Sequence, residues 1–232
     1  MSNMLSKRLE TIASFIPKGV RFADIGSDHA YVPCAICSHD DTASAIAGEV
    51  REGPFKSAQK TVRQHDLDDQ IEVRLGDGLD VIDPSVTHVI IAGMGGSLIA
   101  SILERGKEKL DYVEQLILQP NIGAHHVRKW LIKNGFILVD ERLVEEKGHI
   151  YEVLIAHKQG EGSQEIQEKE LLFGPFLLQE KSNLFKKKWQ REYSHRQEII
   201  KQIKQSKQPN QEQMDQFQRE LAWINEELNN ES

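Results

Sequence analysis

The amino-acid sequence predicts an α/β protein in which a largely parallel, doubly wound sheet is followed by a helical hairpin. Two observations predict this arrangement. Short runs rich in Val and Ile alternate with amphipathic stretches as far as residue 158, and the remainder has helical spacing with almost no glycine. Strands that alternate with helices imply right-handed crossovers and a parallel sheet. We place the boundary between a first domain, residues 1–160, and a second domain, residues 161–232, within the sequence KQGEGS.

Seven segments of the first domain are predicted to be strands because they are short, rich in β-branched residues and followed by turn residues. The stretches between them have helical spacing, for example residues 53–65 and 97–110. The last two strands are separated by little helix, which indicates an antiparallel edge to the sheet. The predicted strands are residues 20–25, 44–49, 71–75, 87–92, 115–118, 136–139 and 151–157.

The second domain is predicted to contain two amphipathic helices. Apolar residues near the C-terminus recur at intervals of three and four, which is the spacing of a coiled-coil seam, and a looser apolar series covers residues 185–203. The turn residues 207–210 (KQPN) lie between the two series, so we expect an antiparallel hairpin, with a dimerisation coil as the alternative. The C-terminal seam consists of Met214, Phe217, Leu221, Ile224 and Leu228.

The composition narrows the class of protein. Hydrophobic residues are 39% and charged residues 28%, which is ordinary for a soluble globular protein. No apolar run approaches the roughly 20 residues that a membrane span needs, and the N-terminus lacks the apolar region of a signal peptide. Cys34 and Cys37 cannot form a disulfide framework, and further zinc ligands at suitable spacing are missing. We therefore expect a cytoplasmic monomer with no membrane partner and no metal.

The first candidate ligand site is the sequence DIGSDHAY, residues 24–31, directly after the first predicted strand. Gly26 permits a sharp turn there, but Asp28 stands where a dinucleotide-binding fingerprint has its second glycine. Two carboxylates, Asp24 and Asp28, repel a pyrophosphate and attract a cation. S-adenosylmethionine, which has a sulfonium and an ammonium group, fits this charge. A plain strand-to-helix turn capped by Asp28 is the alternative.

Further acidic residues close the second and third predicted strands. Glu49 follows Gly26 by 23 residues, where an acidic side chain meets the ribose hydroxyls of an adenosine ligand. Asp77 lies in a Gly-Asp-Gly turn and can accept a hydrogen bond from the adenine amino group. Ligands of open α/β sheets bind along this edge, so S-adenosylmethionine is the predicted cofactor. Its predicted binding residues are Asp24, Gly26, Ser27, Asp28, Glu49, Val50, Asp77, Gly78 and Gly93.

The sequences GMGG, residues 93–96, and QPN, residues 119–121, follow the fourth and fifth predicted strands. Loops at these positions border the methyl group in such sheets, and their glycines leave room for a flat acceptor group. A glycine-rich turn that only begins a helix is the alternative. The predicted substrate-pocket residues are His29, Tyr31, Met94 and Gly95.

Charge is distributed unevenly along the chain, whose net charge is −7. Residues 181–207 contain nine Lys or Arg and two Glu, whereas the rest of the chain contains 20 basic and 34 acidic residues. A basic helix on an acidic protein indicates a polyanionic partner, with a solvated lysine-rich face as the alternative. The predicted contacts are Lys7, Arg8, Lys186, Lys187, Lys188, Arg191 and Arg196.

The chain resembles the bacterial tRNA (adenine-22, N1)-methyltransferases, the TrmK family. The resemblance covers nearly the whole chain. It implies a class I (Rossmann-like) methyltransferase sheet with a coiled-coil-like C-terminal domain, S-adenosylmethionine as methyl donor and tRNA as acceptor. Seven strands with an antiparallel ending are also typical of methyltransferases, whereas the dehydrogenase sheet has six. The matching motifs are residues 24–33, 45–50, 53–55, 76–79, 91–96, 118–121 and 173–176.

The reaction that the resemblance implies needs little acid–base chemistry. Adenine N1 has an in-plane lone pair that can attack the methyl group once the base is released from pairing, so catalysis is mostly positioning. Asp28 and Asn121 are the candidate catalytic residues, since either can accept the amino proton of the cationic product. The alternative is a non-catalytic adenosyl-nucleotide sensor that binds RNA or a protein through the hairpin. The missing glycines disfavour a nicotinamide-dependent dehydrogenase.

Overall fold

The computed structural model describes residues 5–159, 165–205 and 210–229. The chain divides into two compact units, one ending at Phe176 and the other beginning at Leu177. The domain boundary predicted at residue 160 and residues 207–209 of the turn predicted at 207–210 lie outside the described residues. The first unit extends beyond the predicted boundary because residues up to Phe176 are bonded to its sheet, as described below.

The first unit alternates strands with helices, as the sequence predicts. Its strands are β1 (Arg21–Ile25), β2 (Ser44–Glu49), β3 (Ile71–Leu75), β4 (His88–Gly95), β5 (Gln115–Ile122), β6 (Phe136–Glu146) and β7 (His149–Lys158). Its α-helices are α1 (Lys7–Ala13), α2 (Tyr31–Cys37), α3 (Glu52–Gln64), α4 (Gly96–Arg105), α5 (Ala124–Lys133) and α6 (Glu168–Phe173). Short 3-10 turns occupy Gly78–Val81 and Lys107–Tyr112.

The strands form one sheet in the order β3-β2-β1-β4-β5-β7-β6. The first five pair in parallel, and β7 lies antiparallel between β5 and β6. This confirms the predicted fold class, including the antiparallel edge. The carboxyl ends of the parallel strands meet at one edge of the sheet, where ligands of such folds bind.

Helices cover both faces of the sheet because the strands at its centre bury apolar side chains on both sides. One apolar core joins the sheet to α4 and α5 through residues such as Ile99 and Leu131. The other joins it to α1, α2 and α3 and includes Cys34 and Cys37. Burial raises the pKa of these two thiols to about 11 and about 12, so they are neutral packing residues at ordinary pH.

Four strands are longer than the sequence predicts. The pairing of β4 with β5 continues through the register shifts at Met94 as far as Gly95 and Ile122, so the predicted loops there are partly strand. The strands β6 and β7 form a hairpin around Lys147 and Gly148, which both have positive φ. Pairing with the neighbouring strand extends these strands through positions where the local sequence is charged or glycine-rich.

A buried arginine attaches the segment after β7 to the sheet. The side chain of Arg128 is fully buried; its Nε donates to Glu141 Oε1 at 2.7 Å, and a second guanidinium nitrogen bonds to Glu152. Its Nη1 also donates to the carbonyl oxygen of Leu171 at 3.0 Å, and the Phe176 N–H donates to Glu141 Oε2 at 3.0 Å. These bonds hold the start and the end of the 171–176 segment in place.

The second unit contains two long helices, α8 (Asn183–Gln205) and α9 (Gln211–Asn229), after the short helix α7 (Pro175–Glu180), which begins in the first unit. Lys181, just before α8, pairs with Glu227 at 2.7 Å, and Arg196 in α8 pairs with Glu220 at 2.7 Å. The residue that comes later in the first segment therefore pairs with the residue that comes earlier in α9. This is the order of the predicted antiparallel hairpin. None of the described helices is long and apolar enough to cross a membrane.

Candidate active site

Two acidic side chains are buried at the ligand-binding edge of the sheet. Asp24 near the end of β1 is 4% exposed, and Glu49 at the end of the neighbouring strand β2 is 5% exposed. Burial, together with the negative charges of Glu49 and Asp28, raises the pKa of Asp24 from 3.8 to about 7. No lysine or arginine in the described part of the chain pairs with Asp24. The buried carboxyl group therefore favours a cationic ligand.

The turn after β1 is bonded to the end of β2. The Ser27 hydroxyl donates to Glu49 Oε1 at 3.0 Å, and the Gly26 N–H donates to the Gly48 carbonyl at 2.8 Å. Burial raises the pKa of Glu49, while the hydrogen bonds from Ser27 and from the Asp28 N–H partly offset that effect. These bonds hold Glu49 in a fixed position.

The same turn has a strained backbone. Gly26, Asp28, His29 and Ala30 all have φ between +43° and +71°, a region that costs a residue other than glycine on the order of 1–3 kcal/mol. In this turn the Asp28 side chain lies in solvent, 3.6 Å from the His29 ring, and His29 stacks on Tyr31 with ring centres 5.4 Å apart. The turn thus directs a carboxylate and two aromatic rings outward.

The third strand end carries both polar and apolar groups. Asp77 forms a salt bridge with Arg105 at 3.2 Å, so the guanidinium partly compensates the negative charge of its carboxylate. Arg105 is not among the site residues predicted from the sequence. Gly78 has φ +56° and begins the 3-10 turn beside Ile102. The exposed side chains of Val50 and Leu75 follow or end β2 and β3. Exposed apolar residues at adjacent strand ends suit the face of a flat ring.

The extended ends of β4 and β5 form the acceptor side of the edge. Met94 lies against the first turn, because a Cβ on Gly26 would be only 2.5 Å from its Cε. Gly95 has open space beside it, and a Cβ on Gly96 would overlap the Gly123 carbonyl. The residues that directly follow the two strands therefore pack backbone to backbone, and only glycine at position 96 permits this.

A hydrogen-bonded chain fixes the side chains of this acceptor side. Gln119 is fully buried, and its Oε1 accepts from the Gly93 N–H at 3.2 Å and from the Arg8 guanidinium. Its Nε2 donates to Asn121 Oδ1 at 3.1 Å, and Asn121 Nδ2 donates to the Gly93 carbonyl at 2.7 Å. Sequence reasoning noticed the QPN motif but gave Gln119 no role.

The structure places Arg8 at this site. Its guanidinium carbon lies 5.3 Å from the centre of the Tyr151 ring, and its backbone N–H donates to Glu146 at 3.0 Å. We predicted Arg8 as a tRNA contact together with Lys7, which is exposed. The bond to Gln119 directs the charge of Arg8 toward the ends of β4 and β5.

The predicted basic residues of the hairpin differ in environment. Lys186 and Lys187 are exposed, and the Lys188 ammonium lies 4.4 Å from the centre of the Trp189 ring. The Arg196 side chain is 12% exposed and bonds to Glu220 at 2.7 Å as well as to Glu192. We predicted Arg196 as a tRNA contact, but these bonds neutralise it within the hairpin. The exposed positive charge is concentrated near residues 186–191.

The described residues contain no group of three or more His, Cys, Asp or Glu side chains arranged to hold a metal ion.

The sequence model of the tRNA (adenine(22)-N(1))-methyltransferase family, TrmK, matches residues 22–226. The chain belongs to this family. The tRNA (adenine(22)-N(1))-methyltransferase of Bacillus subtilis is 49% identical over 209 residues, which are 87% of each chain.

Solved TrmK structures superpose on nearly the whole chain. The B. subtilis m1A22 tRNA methyltransferase TrmK has a TM-score of 0.88 and 44% identity over the superposed residues, covering 97% of this chain and 99% of that one. A putative tRNA (m1A22) methyltransferase of Streptococcus pneumoniae, solved with S-adenosyl-L-methionine, has a TM-score of 0.87 and 41% identity, with the same coverage. The family match confirms the resemblance found in the sequence.

For this TrmK-family chain, the structure brings several predicted site residues into contact. The contacts join Ser27 to Glu49, Gly26 to Met94, His29 to Tyr31 and Gly93 to Asn121. The residues missed from the sequence are Gln119 and Arg105. One signal in the sequence indicates Gln119: it is a polar residue directly after the apolar run 116–118, and β5 is buried from Gln115 to Pro120.

Proposed function

We propose that this chain transfers a methyl group from S-adenosylmethionine to N1 of adenine 22 in tRNA. The observation that carries the proposal is a pair of buried acidic residues, Asp24 and Glu49, at adjacent strand ends of a chain that belongs to the tRNA (adenine(22)-N(1))-methyltransferase family. The site lies at the edge where class I folds bind adenosyl ligands. We also propose that the enzyme acts in the cytoplasm and as a monomer.

The residues present fit S-adenosylmethionine. Asp24 is a buried carboxyl group that the described residues leave without a cationic partner, so an ammonium or sulfonium group compensates its charge. Glu49 accepts the ribose hydroxyls, and Asp77 accepts the adenine amino group. The remaining cofactor residues that we propose are Gly26, Ser27, Asp28, Val50, Gly78 and Gly93.

The bound cofactor supplies a methyl group made electrophilic by the positive charge on its sulfur. The protein's part is to exclude pairing partners from the target adenine and to hold its N1 in line with that methyl group. His29 and Tyr31 offer stacked rings, and Met94 offers an apolar contact, for the face of the base. Asp28 and Asn121 present oxygen atoms to the amino group, which becomes more acidic as the ring gains positive charge.

We propose that the second unit holds the tRNA. Lys186, Lys187, Lys188 and Arg191 lie within two turns of α8, and such a cluster binds phosphates independently of base sequence. Most of the acidic charge of the hairpin lies on α9, where Glu220 and Glu227 bond to basic residues. The phosphate contact is therefore confined to the first part of α8.

The direct test incubates the full chain with an unmodified tRNA transcript and methyl-labelled S-adenosylmethionine. We expect label in the tRNA and a reverse-transcription stop at position 22, because a methyl on N1 blocks base pairing. A transcript with guanine at position 22 is the matched control and stays unlabelled. Tight cofactor binding without incorporation into either transcript would support the adenosyl-nucleotide sensor instead.

A further inference from the structure

The amide of Asn121 has one permitted orientation, and groups outside it impose that orientation. The Gly93 N–H and the Arg8 guanidinium can only donate, so the oxygen of Gln119 must face them. The amide nitrogen of Gln119 then faces Asn121 and donates to its oxygen. The Gly93 carbonyl can only accept, so the Asn121 nitrogen faces it.

Reversing either amide places like atoms together. A reversed Asn121 would direct its NH₂ at the NH₂ of Gln119 and its oxygen at the Gly93 carbonyl. Reversing Gln119 as well would direct its NH₂ at the Arg8 cation and at the Gly93 N–H. Gln119 is fully buried, so water cannot replace its bonds and a mismatch at its amide carries the full penalty of a buried unsatisfied group, whereas water can reach the exposed bond between Asn121 and Gly93.

Asn121 keeps unused hydrogen-bonding capacity on its exposed side. A primary amide has two N–H donors and two oxygen lone pairs. Gln119 uses one lone pair and Gly93 uses one N–H, and the described residues provide no further partner. One donor and one acceptor, in a fixed orientation, therefore remain available to a substrate.

Resting on the proposed function, we propose that Gln119 and Arg8 are positioning residues that orient Asn121 to bind the amino group and N7 of the target adenine. An asparagine amide matches these two adenine atoms, with its oxygen on the amino group and its N–H on N7. The pairing leaves N1 free for methylation. Guanine presents acceptors at both positions, so the fixed oxygen of Asn121 repels it.

The test combines a protein change with a change in the base. We compare kcat/KM on tRNA with adenine at position 22 and on tRNA with 7-deazaadenine there, which has no N7 acceptor. For the wild-type protein, kcat/KM on adenine is expected to exceed kcat/KM on 7-deazaadenine about three- to tenfold, after correction for the different intrinsic reactivity of N1 in the two bases. The reason is that 7-deazaadenine cannot form the hydrogen bond to N7. In Gln119→Met the Asn121 amide keeps only its bond to the Gly93 carbonyl and can turn about that bond, so kcat falls and the ratio moves toward that of intrinsic reactivity alone.

Gln115→Met is the matched control. Gln115 is also a buried glutamine on β5, but it lies at the opposite end of the strand and donates to the Phe15 carbonyl at 3.1 Å. The intrinsic effect of the base analogue on N1 is common to all proteins and cancels in the comparison of ratios. A merely structural role for Gln119 lowers activity without changing the ratio, as in the control.

Arg8→Met provides a second variant if Gln119→Met does not fold, and the ratio is expected to move in the same direction. A wild-type ratio equal to the intrinsic one, or a ratio unchanged in the foldable positioning variant, would overturn the inference. Wild-type methylation of adenine 22 remains a separate readout. Its loss would refute the proposed function, whereas its presence with unchanged ratios refutes only the role of Gln119 and Arg8.

Discussion

The affinity for S-adenosylmethionine is expected to fall as the pH falls through 7, because Asp24 takes up a proton. Burial raises the pKa of Asp24 in the ligand-free protein to about 7 from its ordinary 3.8. The cationic ligand binds the ionised form, so binding below pH 7 must also release a proton. Linkage then weakens the affinity about tenfold between roughly pH 8 and pH 6.

The same shift has an opposite effect on the stability of the ligand-free protein. An acid with a raised pKa in the folded state holds its proton more tightly there than in the unfolded chain. Its ionisation therefore opposes folding increasingly as the pH rises from about 4 to about 7. The shift from 3.8 to about 7 corresponds to about 4 kcal/mol above that range. Asp24→Asn removes the penalty, so the ligand-free variant is expected to be more stable than wild type at pH 8.

Calorimetric titration from about pH 6 to pH 8 checks the binding prediction, and thermal unfolding of the ligand-free proteins checks the stability prediction. Asp24→Asn is expected to bind at least tenfold more weakly at pH 8 and to lose most of the pH dependence, since a charged partner is gone. Protons that the ligand itself takes up are common to both proteins. A pH dependence of wild type that survives unchanged in the variant would refute the assignment of the proton to Asp24.

Three further predictions concern other parts of the chain. Glu49→Ala is expected to weaken S-adenosylmethionine binding at least tenfold in calorimetry while the circular dichroism spectrum stays that of wild type; unchanged affinity contradicts the ribose assignment. Reversing residues 186–188 to Glu is expected to raise KM for tRNA and reduce the salt slope by about 0.7–0.9 per lost contact. The equal charge change at Lys56, Lys60 and Arg63 of α3 should have less effect, and equal effects would indicate net charge alone. Arg128→Met removes the cation that bonds to the buried carboxylates of Glu141 and Glu152, so denaturant unfolding is expected to show a loss of about 3–5 kcal/mol, and a stable variant contradicts this.

The strand centres could be predicted because they depend on local composition. The bounds of β2 and β3 coincide with the predicted segments, since short β-branched runs there end in turn residues. The ends of β4 and β5 could not be predicted, because Gly93 and Pro120 disfavour strands locally and only the neighbouring strand extends them. The predicted segments for β6 and β7 are too short for the same reason, since the charged residues of this hairpin are typical of a loop.

For the candidate site, the sequence predicts which residues reach the ligand edge but not how each is oriented. The position of Asp24 follows from its place at the end of a parallel strand. The bonds of Arg8 to Gln119 and of Arg196 to Glu220 join residues distant in sequence. The spacing of residues along the sequence does not indicate such partners. From the sequence alone, both arginines are therefore only positive charges that tRNA could contact.

The buried cluster of Arg128, Glu141 and Glu152 also determines where the chain can be truncated without loss of these bonds. A fragment ending near residue 160 removes the Leu171 carbonyl and the Phe176 N–H from this cluster, although sequence composition alone places the boundary there. The exposed cluster would then hold one guanidinium between two carboxylates, Glu141 and Glu152, with fewer hydrogen bonds to stabilise it. A fragment of the first unit prepared for ligand screening should therefore retain the chain through Phe176.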